Sequence, residues 1–362
     1  MANKFIRTVC KNQRRSSEMK NKMLVSAVCM ALAAAAVAGC GGKKDASGGG
    51  SSKPVTLKMN VTTSENSVWH VAAKEFKKEV EEKTNGKYKI NIYGNEQLSS
   101  GDQAKGVEML FNGATDADLH STMIISNVVP KLAVVSMPWL FPNGYKSVDE
   151  YIFKDGSTGF AFIQKEMAAK GAHALAAGEN GFRQITNNVR PITKPEDMKG
   201  MKIRIPAISI LMDVFRALQC DPTQMPFSEC FTALQQGAID GQENPYDTIR
   251  SAKINEVQKY MTIWNYCYDP IILSVSDKTW KKLTDDEKKI FTEAAKNACK
   301  KQVEESRKLD ASIIKQFKDG GMQVNELSPE SINSMKEVMK PVYEKYKEKF
   351  GADTFAAFGY KF

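Results

Sequence analysis

The side chains best placed to do chemistry lie between residues 201 and 270. In Met201-Lys202-Ile203-Arg204-Ile205 apolar residues alternate with bases, the pattern of a half-buried strand. Pro206 ends it, because proline donates no ladder hydrogen bond. Arg204 thus falls at a strand's carboxyl end, where open α/β sheets hold their ligands. Ser228 reads as an N-cap and Gly237 as a C′ residue around a short helix over 229–236. Gln242, Glu243 and Asn244 follow, and Pro245 biases Asn244 toward an extended backbone, which places three polar side chains on a stiffened loop. A guanidinium offers two parallel N–H donors to a carboxylate and stays charged at any physiological pH, and an amide adds directional bonds. The chemistry in prospect is capture of an anion; the competing reading is internal ion pairing, with Arg204 to Glu243 as the example. Thr62, Thr63 and Ser64 form a second group, at the end of the alternating run Val55, Leu57, Met59, Val61. Their hydroxyls suit a ligand's oxygens and helix capping equally well.

Catalysis has no comparable support. The chain holds three histidines, His70, His120 and His173, and no nucleophile–base–acid set, metal-ligand spacing or phosphate-cradling glycine loop assembles around them. Neither enzymatic activity, metal nor cofactor is expected.

The elements that position these groups follow from periodicity. A strand over 55–61, a helix over 68–83 with Val68, Ala72, Phe76 and Val80 on one face, and a strand with Tyr88, Ile90 and Ile92 alternating imply a parallel sheet flanked by helices. Residues 97–101 read as a loop opening a helix toward Leu110, residues 116–121 as a strand and polar turn, and residues 134–141 as an apolar strand and turn in which Trp139 is core or ligand platform. Tyr246, Tyr260, Trp264, Tyr266 and Tyr268 form an aromatic group, in which Trp264 and Tyr266 line a binding site or pack in the core. Thr284-Asp285-Asp286-Glu287 is a capping box. The helix it opens runs to Gly320-Gly321, roughly 35 residues or about 50 Å. Its charged middle, 300–308, suits a solvated strut across two lobes. Ser328-Pro329 opens a last helix, with Val338, Val342, Tyr343 and Tyr346 on its apolar face.

The formal charge of +9 is concentrated at the start. Residues 1–40 hold seven bases and one acid, which leaves 44 bases against 41 acids in the remainder. The body is near balance, so nucleic-acid binding loses its main support. A basic region ends at Lys22, and an apolar stretch over 23–37 is too short and alanine-rich for a comfortable span. Val37-Ala38-Gly39-Cys40 follows, small residues before a cysteine as in a bacterial lipobox; an ordinary secretion signal is the alternative. Residues 41–54 (GGKKDASGGGSSKP) form a Gly/Ser-rich tether. Of seven cysteines, Cys10 and Cys29 leave with the signal, and Cys220, Cys230, Cys267 and Cys299 remain in the body, an even number whose pairing sequence cannot assign. Buried free thiols are expected rather than bridges.

GMKIRIP, CDPTQMPFSECFTALQQGAIDGQENP, KINEVQKY and, upstream, GFRQITNNVRPITKPEDMKG closely resemble the TRAP-type (tripartite ATP-independent periplasmic) solute-binding proteins of the DctP family, over roughly residues 55 to 350. The resemblance implies a two-lobed α/β fold of the type II periplasmic-binding-protein kind, with a central cleft and a long helix spanning both lobes. Lobe I would be 55–180 plus 270–309, and lobe II 181–269 plus 310–362, after a signal segment 1–39 and a tether 40–54. It implies that Arg183, Arg204 and Asn244 hold a ligand carboxylate, that Phe227 packs on it, that Glu243 contacts it or holds an arginine, and that Thr62, Ser121 and Tyr266 belong to the binding set. Tyr266 departs from a position often histidine in the family, and Ser121 and Ile124 from an acid and an arginine in relatives that bind sialic acid, which argues against that ligand. It further implies cleavage before Cys40, lipidation of its thiol, and an extracytoplasmic monomer anchored by lipid. That monomer would deliver an organic acid, such as a C4-dicarboxylate or sugar acid, to the small and large permease subunits. A ligand-sensing surface lipoprotein without transport is the alternative.

Overall fold

The computed structural model describes residues 53–362; the signal segment, Cys40 and nearly all of the tether lie outside the described residues. The elements that matter are, in chain order, β1 (Val55–Val61), α1 (Trp69–Lys83), β2 (Tyr88–Tyr93), α2 (Gln103–Phe111), β3 (Ala117–Ser121), α3 (Thr158–Ala168), β4 (Ala172–Phe182), β5 (Gln184–Asn187), β6 (Lys202–Ile205), α4 (Ser209–Ala217), β7 (Asp221–Gln224), α5 (Phe227–Gln235), β8 (Gly241–Asn244), α6 (Tyr246–Ser251), β9 (Tyr260–Ile263), β10 (Tyr268–Ser276), α7 (Asp285–Asp319), β11 (Gln323–Glu326) and α8 (Pro329–Phe350). They build two sheets. One has the strand order β2-β1-β3-β10-β4, the other β11-β9-β5-β8-β6-β7.

The expected parallel arrangement holds for β1, which pairs in parallel with β2 and β3, and for β6, parallel to β7 and β8. It fails for β10, which runs antiparallel to β3 and β4. No helical crossover separates β9 from β10; a four-residue connection carries the chain from one sheet to the other. A short link of that kind does not impose the parallel sense that a crossover helix does.

Three local expectations need correction. Residues 134–141 form no strand: Pro130–Ser136 is a 3₁₀ turn, and Trp139 sits at φ +57° with its N–H on the Tyr266 carbonyl. The segment is uniformly apolar because it is buried on all sides, and periodicity cannot distinguish that from a strand. Residues 242–244 belong to β8, paired on both edges, instead of to a loop. Ser228 does not cap its helix. α5 starts at Phe227 after Pro226, and the Ser228 hydroxyl donates to the Gly101 carbonyl at 3.2 Å. Gly237 does take the left-handed C′ conformation, φ +69°.

The capping box at Thr284 and Glu287 forms in both directions, and α7 runs 35 residues. It packs on α1 and β4 of one sheet and on α6 and β11 beside the other. Its middle is solvated on one side only. Gln302 is fully buried, with Oε1 accepting the Glu179 N–H (2.8 Å) and Nε2 donating to the Glu179 carbonyl (2.7 Å). The four body cysteines are buried free thiols. Burial pushes Cys220 and Cys299 up to about 12 and Cys230 to about 11, and holds Cys267 well above the usual thiol range.

Candidate binding site

β6 carries Arg204 between Ile203 and Ile205, both fully buried. The arginine is itself only 1% exposed. Its Nε and Nη2 donate to the Met225 carbonyl at 3.1 and 2.8 Å, and the Phe227 ring lies 5.5 Å from the guanidinium carbon. Among the described residues Nη1 has no partner, and no carboxylate pairs with this arginine. Burial lowers its pKa and prevails over the opposing pull of Cys230 and Glu243. An enclosed cation without a counter-charge is costly, and such groups normally find a partner.

Arg183, between β4 and β5, is buried in the opposite situation. Its Nε and Nη2 bond both oxygens of the Glu243 carboxylate, Nη2 also donates to the Glu243 carbonyl (2.7 Å) and Asn244 Oδ1 (3.0 Å), and Nη1 donates to Asp269 Oδ2 (2.9 Å). Burial works against its charge, but Glu243 outweighs burial and raises its pKa. The Tyr266 hydroxyl donates to Glu243 Oε2 at 2.7 Å. Asp269 also accepts from Asn180 Nδ2 (2.7 Å) and the Ser121 hydroxyl. Its pKa is raised, burial exceeding the opposing pull of Arg183. Asn244 donates to Gln242 Oε1 at 2.6 Å. The ion pair proposed for Arg204 therefore belongs to Arg183.

A third buried cluster lies under β1. His120 is fully buried, with Nδ1 2.6 Å from Asp118 and Nε2 2.7 Å from Glu96. Two carboxylate oxygens facing two ring nitrogens require both to carry protons. Burial alone would strip the charge; Glu96 and Asp118 push the pKa up to about 10. Glu96 also accepts from Asn60 Nδ2 (2.5 Å), the Thr62 hydroxyl (2.8 Å) and the Ser99 hydroxyl (2.9 Å). Burial favours its neutral form, but His120 and these donors lower its pKa, whereas for Asp118 burial prevails and raises it. α2 presses Gly106 against this cluster: a Cβ there would lie 2.2 Å from Glu96 Oε2.

These groups surround a narrow cavity of about 30 Å³. Thr62, Ser121, Arg183, Arg204, Phe227 and Asn244 line it, joined by Thr63, Trp69, Gln103, Asn180, Thr248 and Asp269. One expected contact residue, Tyr266, does not reach it, and Glu243 takes the other role expected of it, holding an arginine. Glu243 is fully buried behind Arg183 and holds it. Tyr266 is 1% exposed and packs its ring 4.3 Å from Trp264, its hydroxyl spent on Glu243. Asp269, Asn180, Thr248 and Glu96 are not among the candidates the sequence offers, and His120 is one only for catalysis. Asp269 had a signal, as an acid inside the otherwise apolar run 266–275. Asp118 and His120 had one too, two residues apart and so on one face of a strand. Among the described residues no cluster of histidine, cysteine or acidic side chains is arranged to hold a metal.

Residues 59–349 match the family described as "Bacterial extracellular solute-binding protein, family 7" (DctP). The chain is 30% identical over 302 residues to the C4-dicarboxylate-binding protein DctB of Bacillus subtilis, covering 83% of this chain and 84% of that protein. It superposes with a TM-score of 0.79 and 35% identity on a TRAP periplasmic solute binding protein from a Polaromonas species bound to D-erythronate, covering 84% of this chain and 98% of that one. A TRAP periplasmic solute binding protein from Shewanella oneidensis with bound succinate gives 0.78 and 31%, with 84% and 98% covered.

Proposed function

Because this chain belongs to the DctP family of bacterial extracellular solute-binding proteins, whose two-lobed α/β fold it has, we propose that it captures an organic acid by its carboxylate in the cavity around Arg204 and passes it to a TRAP permease. The family is one of receptors and not of enzymes, and relatives hold D-erythronate and succinate. The observation that carries the assignment is Arg204: a buried guanidinium with an unpaired Nη1 edge inside a closed cavity and no acidic partner among the described residues. A ligand carboxylate supplies the missing charge. Arg183, already neutralised by Glu243 and Asp269, acts as a rigid wall that offers its remaining Nη1 proton, and Asn244 adds its amide. Phe227 covers the guanidinium and keeps water from it. Closure of the two lobes (55–180 with 270–309, and 181–269 with 310–362) about the strands between the sheets removes solvent and strengthens the pairing.

In this reading the chain works outside the cytoplasmic membrane as a monomer, tethered by lipid on Cys40, and docks in its closed form on the small and large permease subunits. No described helix is long and apolar enough to cross a membrane. Calorimetric titration of the purified chain with an organic-acid panel tests the capture step. Arg204→Ala should weaken the best ligand by roughly 30-fold or more, since truncating one partner of a buried charged pair costs about 2–5 kcal/mol. Unchanged affinity in that variant would sink the clamp. Cys40→Ser should release the protein from membranes, and retention there would reject the anchor.

A further inference from the structure

The protons around the cavity are distributed unevenly. On the wall built by the β1–β3–β10 sheet, the Thr62 hydroxyl gives its proton to Glu96 and Ser121 to Asp269, and Thr248, on α6, gives its proton to Asn180 Oδ1 (2.8 Å). A hydroxyl has one proton to give. Glu96 is itself acceptor-only, pinned by His120, so it fixes the direction of the Thr62 bond. These three oxygens and Asp269 therefore face the cavity as acceptors. The N–H groups not engaged in the protein on that side belong to neutral amides, those of Gln103 and the second Nδ2 proton of Asn180. Cationic donors come from the other side: Arg204 on β6 and Arg183 at the start of β5.

Charge is as uneven. Arg183 pairs with two acids, Glu243 and Asp269, whereas Arg204 is, among the described residues, the cation of the cavity wall without an acid partner of its own. One ligand carboxylate satisfies it. A second would meet Asp269 and three oxygens without protons, where like charge and unpaired acceptors both cost.

We infer that the ligand is a hydroxylated monocarboxylate, with its carboxylate on Arg204 and its hydroxyl protons donated to Thr62, Ser121, Thr248 or Asp269. This rests on the carboxylate capture proposed above and narrows it. Thr62, oriented through Glu96 and His120, is then a specificity-determining residue.

The test compares three kinds of four-carbon acid by calorimetry on the purified full chain: the stereoisomers of erythronate and threonate, with three hydroxyls; butanoate, with none; and succinate, with a second carboxylate. At least one trihydroxy acid should bind about tenfold or more tighter than both others, a difference of roughly one well-made hydrogen bond or more. Thr62→Val should reduce its advantage over butanoate several-fold. Succinate binding as tightly as the best hydroxy acid would overturn the inference and leave carboxylate capture standing. Butanoate binding equally well would show that the hydroxyls are not read. If no acid binds, both readings fall. An undiminished advantage in a folded Thr62→Val would remove Thr62 from the role.

Discussion

Arg183 and Arg204 are about equally buried, yet their surroundings predict opposite responses to mutation. Removing a partner from Arg183 leaves a charge stranded, so Glu243→Gln should cost about 3–5 kcal/mol of folding stability, read by urea denaturation. Arg204 has no acid to lose. Arg204→Met removes an uncompensated buried charge, so the ligand-free protein should melt no lower than the wild type, and binding should fall by roughly 30-fold or more. A variant less stable by several kcal/mol would mean that Arg204 is structural. His120 makes a pH prediction. Its folded pKa, about 10, lies above the ordinary 6.5, so its stabilising contribution is complete below the lower value and is lost as pH rises through the upper one. Melting temperature against pH should fall more steeply for the wild type than for His120→Gln across that interval. Arg204 was legible because strand alternation places it at a carboxyl end. Which arginine Glu243 holds was not, since pairing across β5 and β8 depends on register rather than on spacing along the chain.

At the scale of elements, legibility followed amphipathicity. β1, β2 and the capped 35-residue α7 announce themselves by alternation, or by a cap followed by an apolar stripe. β8 does not: Gln242, Glu243 and Asn244 are polar and all buried, each bonded to another side chain, so no solvent face marks the strand. Gln302 is the same problem inside α7. It sits in a charged run and reads as solvated, but it satisfies both backbone groups of Glu179. Opposite Glu179 stands Pro270, which has no N–H to give, and the β4–β10 ladder shifts register beside it. Gly178 lies so near that a Cβ there would stand 2.8 Å from Gln302 Oε1. Gln302→Ala leaves a buried N–H and C=O unpaired and should cost about 2–4 kcal/mol. Chemical denaturation measures it, and a loss within error of zero would mean that water replaces the amide.

At the scale of the molecule, the ligand can enter only if the two sides of the cavity separate. The bonds that join them at the mouth include the Val68 N–H to Asp247 (2.9 Å), Arg250 Nη2 to the Asn66 carbonyl (2.9 Å), the Ser64 hydroxyl to the Ser251 carbonyl (3.4 Å), and Ser228 to Gly101. Asp247→Ala should therefore raise the dissociation rate about tenfold with little change in association, seen by stopped-flow fluorescence of Trp69 in the cavity wall. An unchanged dissociation rate would place the closing energy elsewhere. The near-neutral body could be read from composition, and the two-lobed architecture from the resemblance to the family; these mouth contacts, between segments more than a hundred residues apart, could not. The buried cysteines have a further, practical consequence. With every thiol of the body inaccessible and reluctant to ionise, Ser228→Cys would add one that reacts with an environment-sensitive dye at neutral pH. The receptor would then report occupancy as light, an optical gauge for its own solute that needs no native cysteine of the body removed.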